Sequence, residues 1–114
     1  ADEYYNSLSE CKNINVIRHC NKDQTATSSR HLFQVQILNH DRDKVMQLLN
    51  EKKIFPGVHY KNNKSYSPYS QYPSQCDNAE IYSDTLISLP MHVELGIDDA
   101  RYVANTLRSI IRYD

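Results

Sequence analysis

An α+β domain is what this sequence predicts: a small antiparallel or mixed sheet of about three to four strands with helices packed on one face. Three observations lead there. The stretch from Arg30 to Tyr60 reads as a strand (RHLFQVQIL), an acidic turn (NHDRD), a helix (KVMQLLNEKK) and the entrance of a second strand (IFPGVHY). From Asp98 onward two acids suited to a helix N-terminus precede an apolar stripe of Val103, Leu107, Ile110 and Ile111. A chain of 114 residues is long enough for one domain with one hydrophobic core, and too short for two.

Taken in order, Asp2 to Cys11 sets Tyr4, Tyr5 and Leu8 at spacings that fit one helical face, as the tail of a longer helix. Ile14 to Ile17 (INVI) alternates weakly and predicts a short strand, and the polar run Asn21 to Arg30 predicts a loop. In the next strand Leu32, Val35, Ile37 and Leu38 supply apolar residues at strand density. Asp41 or Asp43 can cap the helix that follows, whose apolar positions are Val45, Met46, Leu48 and Leu49. After Tyr60 the composition changes: Lys61 to Asp77 carries Tyr66, Tyr69 and Tyr72 with Pro68 and Pro73 between them, and has no aliphatic residue. A loop of that length inside a small domain is more often a binding loop, lid or disordered segment than inert packing, which makes it the best candidate for a functional surface. Asp77 to Asp84 predicts a short helix opened by a capping residue, with Ala79, Ile81 and Tyr82 available for burial. Thr85 to Leu89 predicts an edge strand stopped by Pro90, which cannot donate to a ladder. Met91 to Gly96 connects to the last helix, where Tyr102 and Tyr113 read as helix-face packing.

Composition narrows the function classes. The net charge of −1 with scattered basic residues lacks the positive stripe that tracks a nucleic-acid backbone. Cys11, Cys20 and Cys76 are odd in number, far apart and without a C-x-x-C pair, so they read as free thiols in a reducing compartment. No apolar run approaches the ~18 residues of a membrane span, and the N-terminus lacks a signal-peptide layout, so the expected location is the cytoplasm. The chain begins at Ala1 in what reads as the middle of a helix, without an initiator Met, which suggests a fragment.

Chemistry is sparse. His19, His31, His40, His59 and His92 show no i, i+4 pair on an expected helix and no H-E-x-x-H, so no metal site is expected. No cysteine carries a nucleophile signature, and Gly57 and Gly96, the only glycines, cannot form a phosphate loop. The pair His59-Tyr60 stands out because it follows a Pro56-Gly57 turn, where the backbone leaves the sheet for the tyrosine loop. Strand ends and the loops beyond them are where rigid scaffolds present binding groups. Equally, the pair could serve only to hydrogen-bond the loop back onto the domain. His31, at the start of the neighbouring strand, could share the same edge.

The runs S-R-H-L-F-Q-V-Q-I at 29–37, D-R-D at 41–43, K-K-I-F-P-G-V-H-Y at 52–60 and S-L-P-M-H-V-E-L-G-I-D-D at 88–99, in that order and spacing, resemble the C-terminal small domain of the DegT/DnrJ/EryC1/StrS sugar-nucleotide aminotransferases. The resemblance covers essentially the whole chain, with residues 1–12 similar to the end of the inter-domain helix and 13–114 to the small domain. The polar run K-N-N-K-S-Y-S-P-Y after His59-Tyr60 replaces the family's commoner proline-rich stretch and resembles a polar-loop branch.

That resemblance implies the C-terminal domain of a fold-type I enzyme. Such an enzyme uses pyridoxal phosphate to move an amino group, typically from glutamate, onto a nucleotide-linked keto sugar in polysaccharide or glycan assembly. The family's cofactor lysine belongs to a large domain absent from this sequence. None of Lys12, Lys22, Lys44, Lys52, Lys53, Lys61 and Lys64 matches its context, so this chain alone is expected to hold no cofactor and no catalytic residue. What the small domain implies instead is a wall of the substrate cleft: His31, His59, Tyr60, Lys61 and the loop beyond, with Tyr66 and Tyr69 stacking on or hydrogen-bonding the ligand. The expected partners are the nucleotide sugar, the amino-acid donor, the large domain and a second copy of the chain, with no nucleic acid and no membrane. The alternatives are a free-standing, non-catalytic binding or interaction domain of the same fold and, more weakly, a non-sugar member of the family.

Overall fold

A computed structural model describes residues 1–19, 25, 27–73 and 75–113. The elements run α1 (Asp2–Leu8), β1 (Ile14–Val16), β2 (Phe33–Ile37), α2 (Arg42–Glu51), α3 (Asp77–Thr85), β3 (Leu86–Leu89) and α4 (Ile97–Tyr113), with a 3-10 turn at Asn63–Ser65. The sheet is antiparallel in the order β1-β2-β3. The fold is the expected α+β layer.

Register decides what each sheet face carries. Ile14 lies opposite Ile37, Val35 opposite both Val16 and Ile87, and Phe33 opposite Leu89. Directly paired residues share a face, so these form one apolar surface. Helices α1, α2 and α4 cover it with Tyr4 and Leu8, Val45 and Leu49, and Ala104 and Leu107, all fully buried. The Tyr4 and Phe33 rings meet at 5.0 Å, and the Tyr4 hydroxyl donates to the Pro90 carbonyl at 2.9 Å. Burial pushes the Tyr4 phenol up to about 12, with the Asp99 carboxylate adding in the same direction. The opposite face is polar: Asn15 donates to Gln36 at 3.1 Å, Gln36 donates to the Thr85 hydroxyl at 3.2 Å, and Gln34 lies opposite Ser88.

Asp41 is the cap of α2, its carboxylate accepting from the amides of Asp43 and Lys44 at 2.9 and 3.1 Å. The helix ends in a Schellman turn. The Ile54 amide reaches the Leu49 carbonyl at 3.0 Å and the Lys53 amide reaches Asn50 at 2.9 Å, with Lys53 at φ 63° where glycine is usual.

Four expectations need correction. The segment Ile54 to Tyr60 is not a strand; only Gly57 pairs, with Ser88, through two backbone hydrogen bonds of 2.9 and 2.8 Å. Ile54 is already committed to closing α2, and Pro56 has no amide to extend the ladder. The strand expected from Arg30 begins only at Phe33, because Arg30 sits at φ 53° with its amide on the Ser28 hydroxyl, leaving His31 outside the sheet and exposed. Asp77 does not cap α3; Cys76 stands at the cap position and makes no side-chain cap bond. Finally, α3 buries none of its residues, with Ile81 53% and Tyr82 42% exposed, because its contact is with the polar side of the sheet. The expectations for Cys20 and for half of the Asn21 to Arg30 loop fall outside the described residues, as does the side chain of Tyr113.

Candidate functional site

An open groove of about 840 Å³ lies over the polar end of the sheet, framed by β2, the His59-Tyr60 corner, the tyrosine loop and α3. Each wall follows from local chemistry. Gln34 points away from the core because it alternates with Phe33 and Val35. Its amide donates to the His59 carbonyl at 2.7 Å, which ties the corner to the sheet.

The His59 ring is held from two sides. Its Nδ1 lies 3.0 Å from the hydroxyl of buried Ser88, while Gly57 leaves room for it: a Cβ there would fall 2.7 Å from His59 Cε1. The Gly57 backbone cannot withdraw, being paired with Ser88. His59 Nε2 makes no protein hydrogen bond among the described residues. The His59-Tyr60 peptide is cis, and the two rings meet edge to face at 5.1 Å.

Beyond the corner the loop is folded on itself and stitched to α3. The Asn62 amide donates to the Ser83 hydroxyl at 2.9 Å, and the Lys64 ammonium contacts the Glu80 carboxylate at 3.0 Å. Asn62 also accepts from the Lys64 amide at 3.0 Å, opening the 3-10 turn. The successive turns that follow bring Tyr69 and Tyr72 onto the groove, facing Tyr82 and Ser83 of α3.

Of the residues expected from sequence, the fold brings His59, Tyr60, Lys61 and Tyr69 together on this groove. His31 and Tyr66 are not among its lining residues. His31 stops short of β2, and Tyr66 closes the 3-10 turn with its carbonyl accepting from Tyr69 and Ser70. Sequence reasoning missed Gln34, Asn62, Tyr82 and Ser83. The alternation F-Q-V-Q-I was the available signal for Gln34, since a strand with apolar residues at every second position must turn its glutamines to the other face.

The lining combines phenols, amides, a hydroxyl, an imidazole and lysine ammonium groups with the apolar Ala79 and Leu86 and the Cys76 thiol. Among the described residues Lys61 has no carboxylate partner, whereas Lys64 is taken by Glu80. Such a surface suits a ligand with a flat ring, several hydroxyls and negative charge. No described helix is long and apolar enough to cross a membrane, and no three described metal-ligating side chains gather at one point.

Comparison with known proteins bears on the family. The profile of the DegT/DnrJ/EryC1/StrS aminotransferase family matches residues 1–108. The chain is 29% identical over 89 residues to the UDP-4-amino-4,6-dideoxy-N-acetyl-beta-L-altrosamine transaminase of Campylobacter jejuni, covering 74% of this chain and 24% of that protein. Among solved structures it superposes on the aminotransferase TlmJ of Streptoalloteichus hindustanus with TM-score 0.87 at 20% identity, over 98% of this chain and 30% of that one. It superposes on Helicobacter pylori PseC, an aminotransferase of pseudoaminic acid biosynthesis, with TM-score 0.86 at 21% identity, over 98% of this chain and 31% of that one. The chain thus spans less than a third of the length of each of these three proteins.

Proposed function

The chain belongs to the DegT/DnrJ/EryC1/StrS aminotransferase family, and from that premise we propose that its groove is one wall of a nucleotide-sugar site in a cytoplasmic aminotransferase. Residues 1–12 then end the inter-domain helix, and residues 13–114 form the small domain. The observation that carries the reading is the convergence of His59, Tyr60, Lys61 and Tyr69 on one open groove of nucleotide-sugar size.

The cofactor of the family is pyridoxal phosphate, which supplies an electron sink for amino transfer once a lysine holds it. A Schiff-base lysine must be able to lose its proton, which burial or a neighbouring cation promotes. Every described lysine here is solvent-exposed, so these residues do not fit the covalent site, and this chain's contribution is binding and orientation. The Lys61 ammonium meets the diphosphate charge of the substrate. The rings of Tyr60 and Tyr69 offer faces for the base or sugar, and His59 Nε2 exchanges a hydrogen bond with a sugar hydroxyl. The amino group comes from an amino-acid donor such as glutamate. Chemistry belongs to the rest of the enzyme, so this chain alone is inactive.

Phe55, Val93 and Ile97 are 70%, 103% and 63% exposed, apolar side chains that the large domain or a second copy would cover. Sedimentation of this chain as a strict monomer at high concentration would count against that covered face.

The test of the groove is a titration with UDP-N-acetylglucosamine followed by amide NMR. Shifts are expected at residues 59–72 and 79–83, weakened about tenfold by Lys61→Ala, in line with loss of one charge-assisted contact. Shifts confined to residues away from the groove would refute the assignment.

A further inference from the structure

Helix α3 forms one side of the groove, yet its two ends are attached very differently. None of its residues is buried, so no apolar packing holds it, and a nine-residue helix has little stability of its own. Its N-terminal end lacks a side-chain cap, and its first turn is tied through Glu80 to the Lys64 ammonium at 3.0 Å, a solvent-exposed pair that contributes little. Its C-terminal end is gripped. Arg42, only 9% exposed, donates through Nη1 to the carbonyls of Ser83 at 3.1 Å and Leu86 at 3.2 Å. Gln36 adds a bond to the Thr85 hydroxyl at 3.2 Å.

The arginine is itself fixed. It is the first residue of α2, behind the Asp41 cap, and its Nε is held by Asp43 at 2.6 Å. A cation at a helix C-terminus satisfies orphan carbonyls and complements the helix dipole, and burial strengthens both effects. The D-R-D run thus ties α2 to the far side of the groove.

We propose that Arg42 is the positioning residue of the groove: by holding the C-terminal carbonyls of α3 it sets where Tyr82 and Ser83 stand relative to the His59-Tyr60 corner. It touches no ligand and acts only through α3. The consequence for binding rests on the groove being the ligand site proposed above; the consequence for α3 does not.

The test compares amide hydrogen exchange in the whole chain as wild type, Arg42→Gln and Arg42→Lys, together with titration by UDP-N-acetylglucosamine. In Arg42→Gln the amides of α3 are expected to exchange at least ~10-fold faster relative to those of β2 and α4, a local opening rather than a global one. The apparent Kd for the sugar nucleotide is expected to rise roughly 5-fold or more, by loss of a pre-organised wall. Arg42→Lys, which keeps the charge and most of the stem, should recover part of both effects. If Arg42→Gln does not fold, Arg42→Lys carries the comparison, because it should still loosen α3 selectively. Acceleration of α3 by no more than β2 and α4 would overturn the proposal and leave Arg42 a general stabiliser. If wild type does not bind the sugar nucleotide, the groove assignment fails while the exchange comparison still decides the role of Arg42.

Discussion

Removing one oxygen from the core, by Tyr4→Phe, should destabilise the protein at neutral pH and stabilise it in strong alkali. The ring is fully buried against Phe33 and its hydroxyl donates to the Pro90 carbonyl at 2.9 Å. Below pH 9 the variant loses that bond, a net cost of about 1 kcal/mol, or roughly 4–8 °C in Tm for a domain near this size. Burial raises the folded pKa of Tyr4 from 10.0 to about 12. A raised pKa means the unfolded chain gives up its proton first, so the stability held below pH 10 is lost as pH climbs towards 12. A shift of that size is worth up to ~2.7 kcal/mol at full ionisation, so the two stability curves should cross near about pH 10.6, beyond which the phenylalanine variant is the more stable. The remaining tyrosines are common to both proteins, so whatever they contribute cancels in the difference. Urea unfolding followed by circular dichroism at intervals from pH 8 to pH 11.5 measures it. Parallel curves over that whole range would refute the assignment of alkaline instability to Tyr4.

Two further substitutions test the frame of the groove and the turn that leads into it. Lys53 occupies the left-handed position of the Schellman turn at φ 63°, so Lys53→Gly should stabilise the protein by about 0.5–1 kcal/mol, seen as a higher urea midpoint at unchanged m-value. Gly57→Ala would set a methyl 2.7 Å from His59 Cε1 while the backbone stays pinned to Ser88, so the ring must leave the Ser88 hydroxyl at a cost of about 1–2 kcal/mol. The His59 imidazole signals in NMR should move with it, and an unchanged His59 spectrum would contradict the packing described.

The two ends of the chain show why some of this was legible in advance. The stripe Val103, Leu107, Ile111 repeats at helical spacing, and those residues are buried in α4 as the spacing requires. Tyr4 and Leu8 likewise announce one face of α1, and Asp41 announces the cap of α2. The middle of the chain was less readable. Ile54 to Tyr60 has strand-like composition, but whether it pairs depends on what β3 offers along its free edge, and only Ser88 is engaged. In α3, Ala79, Ile81 and Tyr82 would be core residues on another helix; here the helix meets glutamines, not the apolar face, and they stay exposed.

Local pattern therefore determined the helices, the strands β1 to β3 and the core faces of α1, α2 and α4, because burial periodicity and capping act between residues close in the chain. The sequence motifs also pointed to the family and to the His59-Tyr60 corner. Tertiary structure alone decided that His31 stands outside β2, that Tyr69 rather than Tyr66 faces the groove, and that Gln34, Ser88 and Arg42 hold its walls. Those facts depend on strand register and on where two distant helices end. Register and helix contacts are set by the summed packing of the whole core, to which no short stretch of sequence has access.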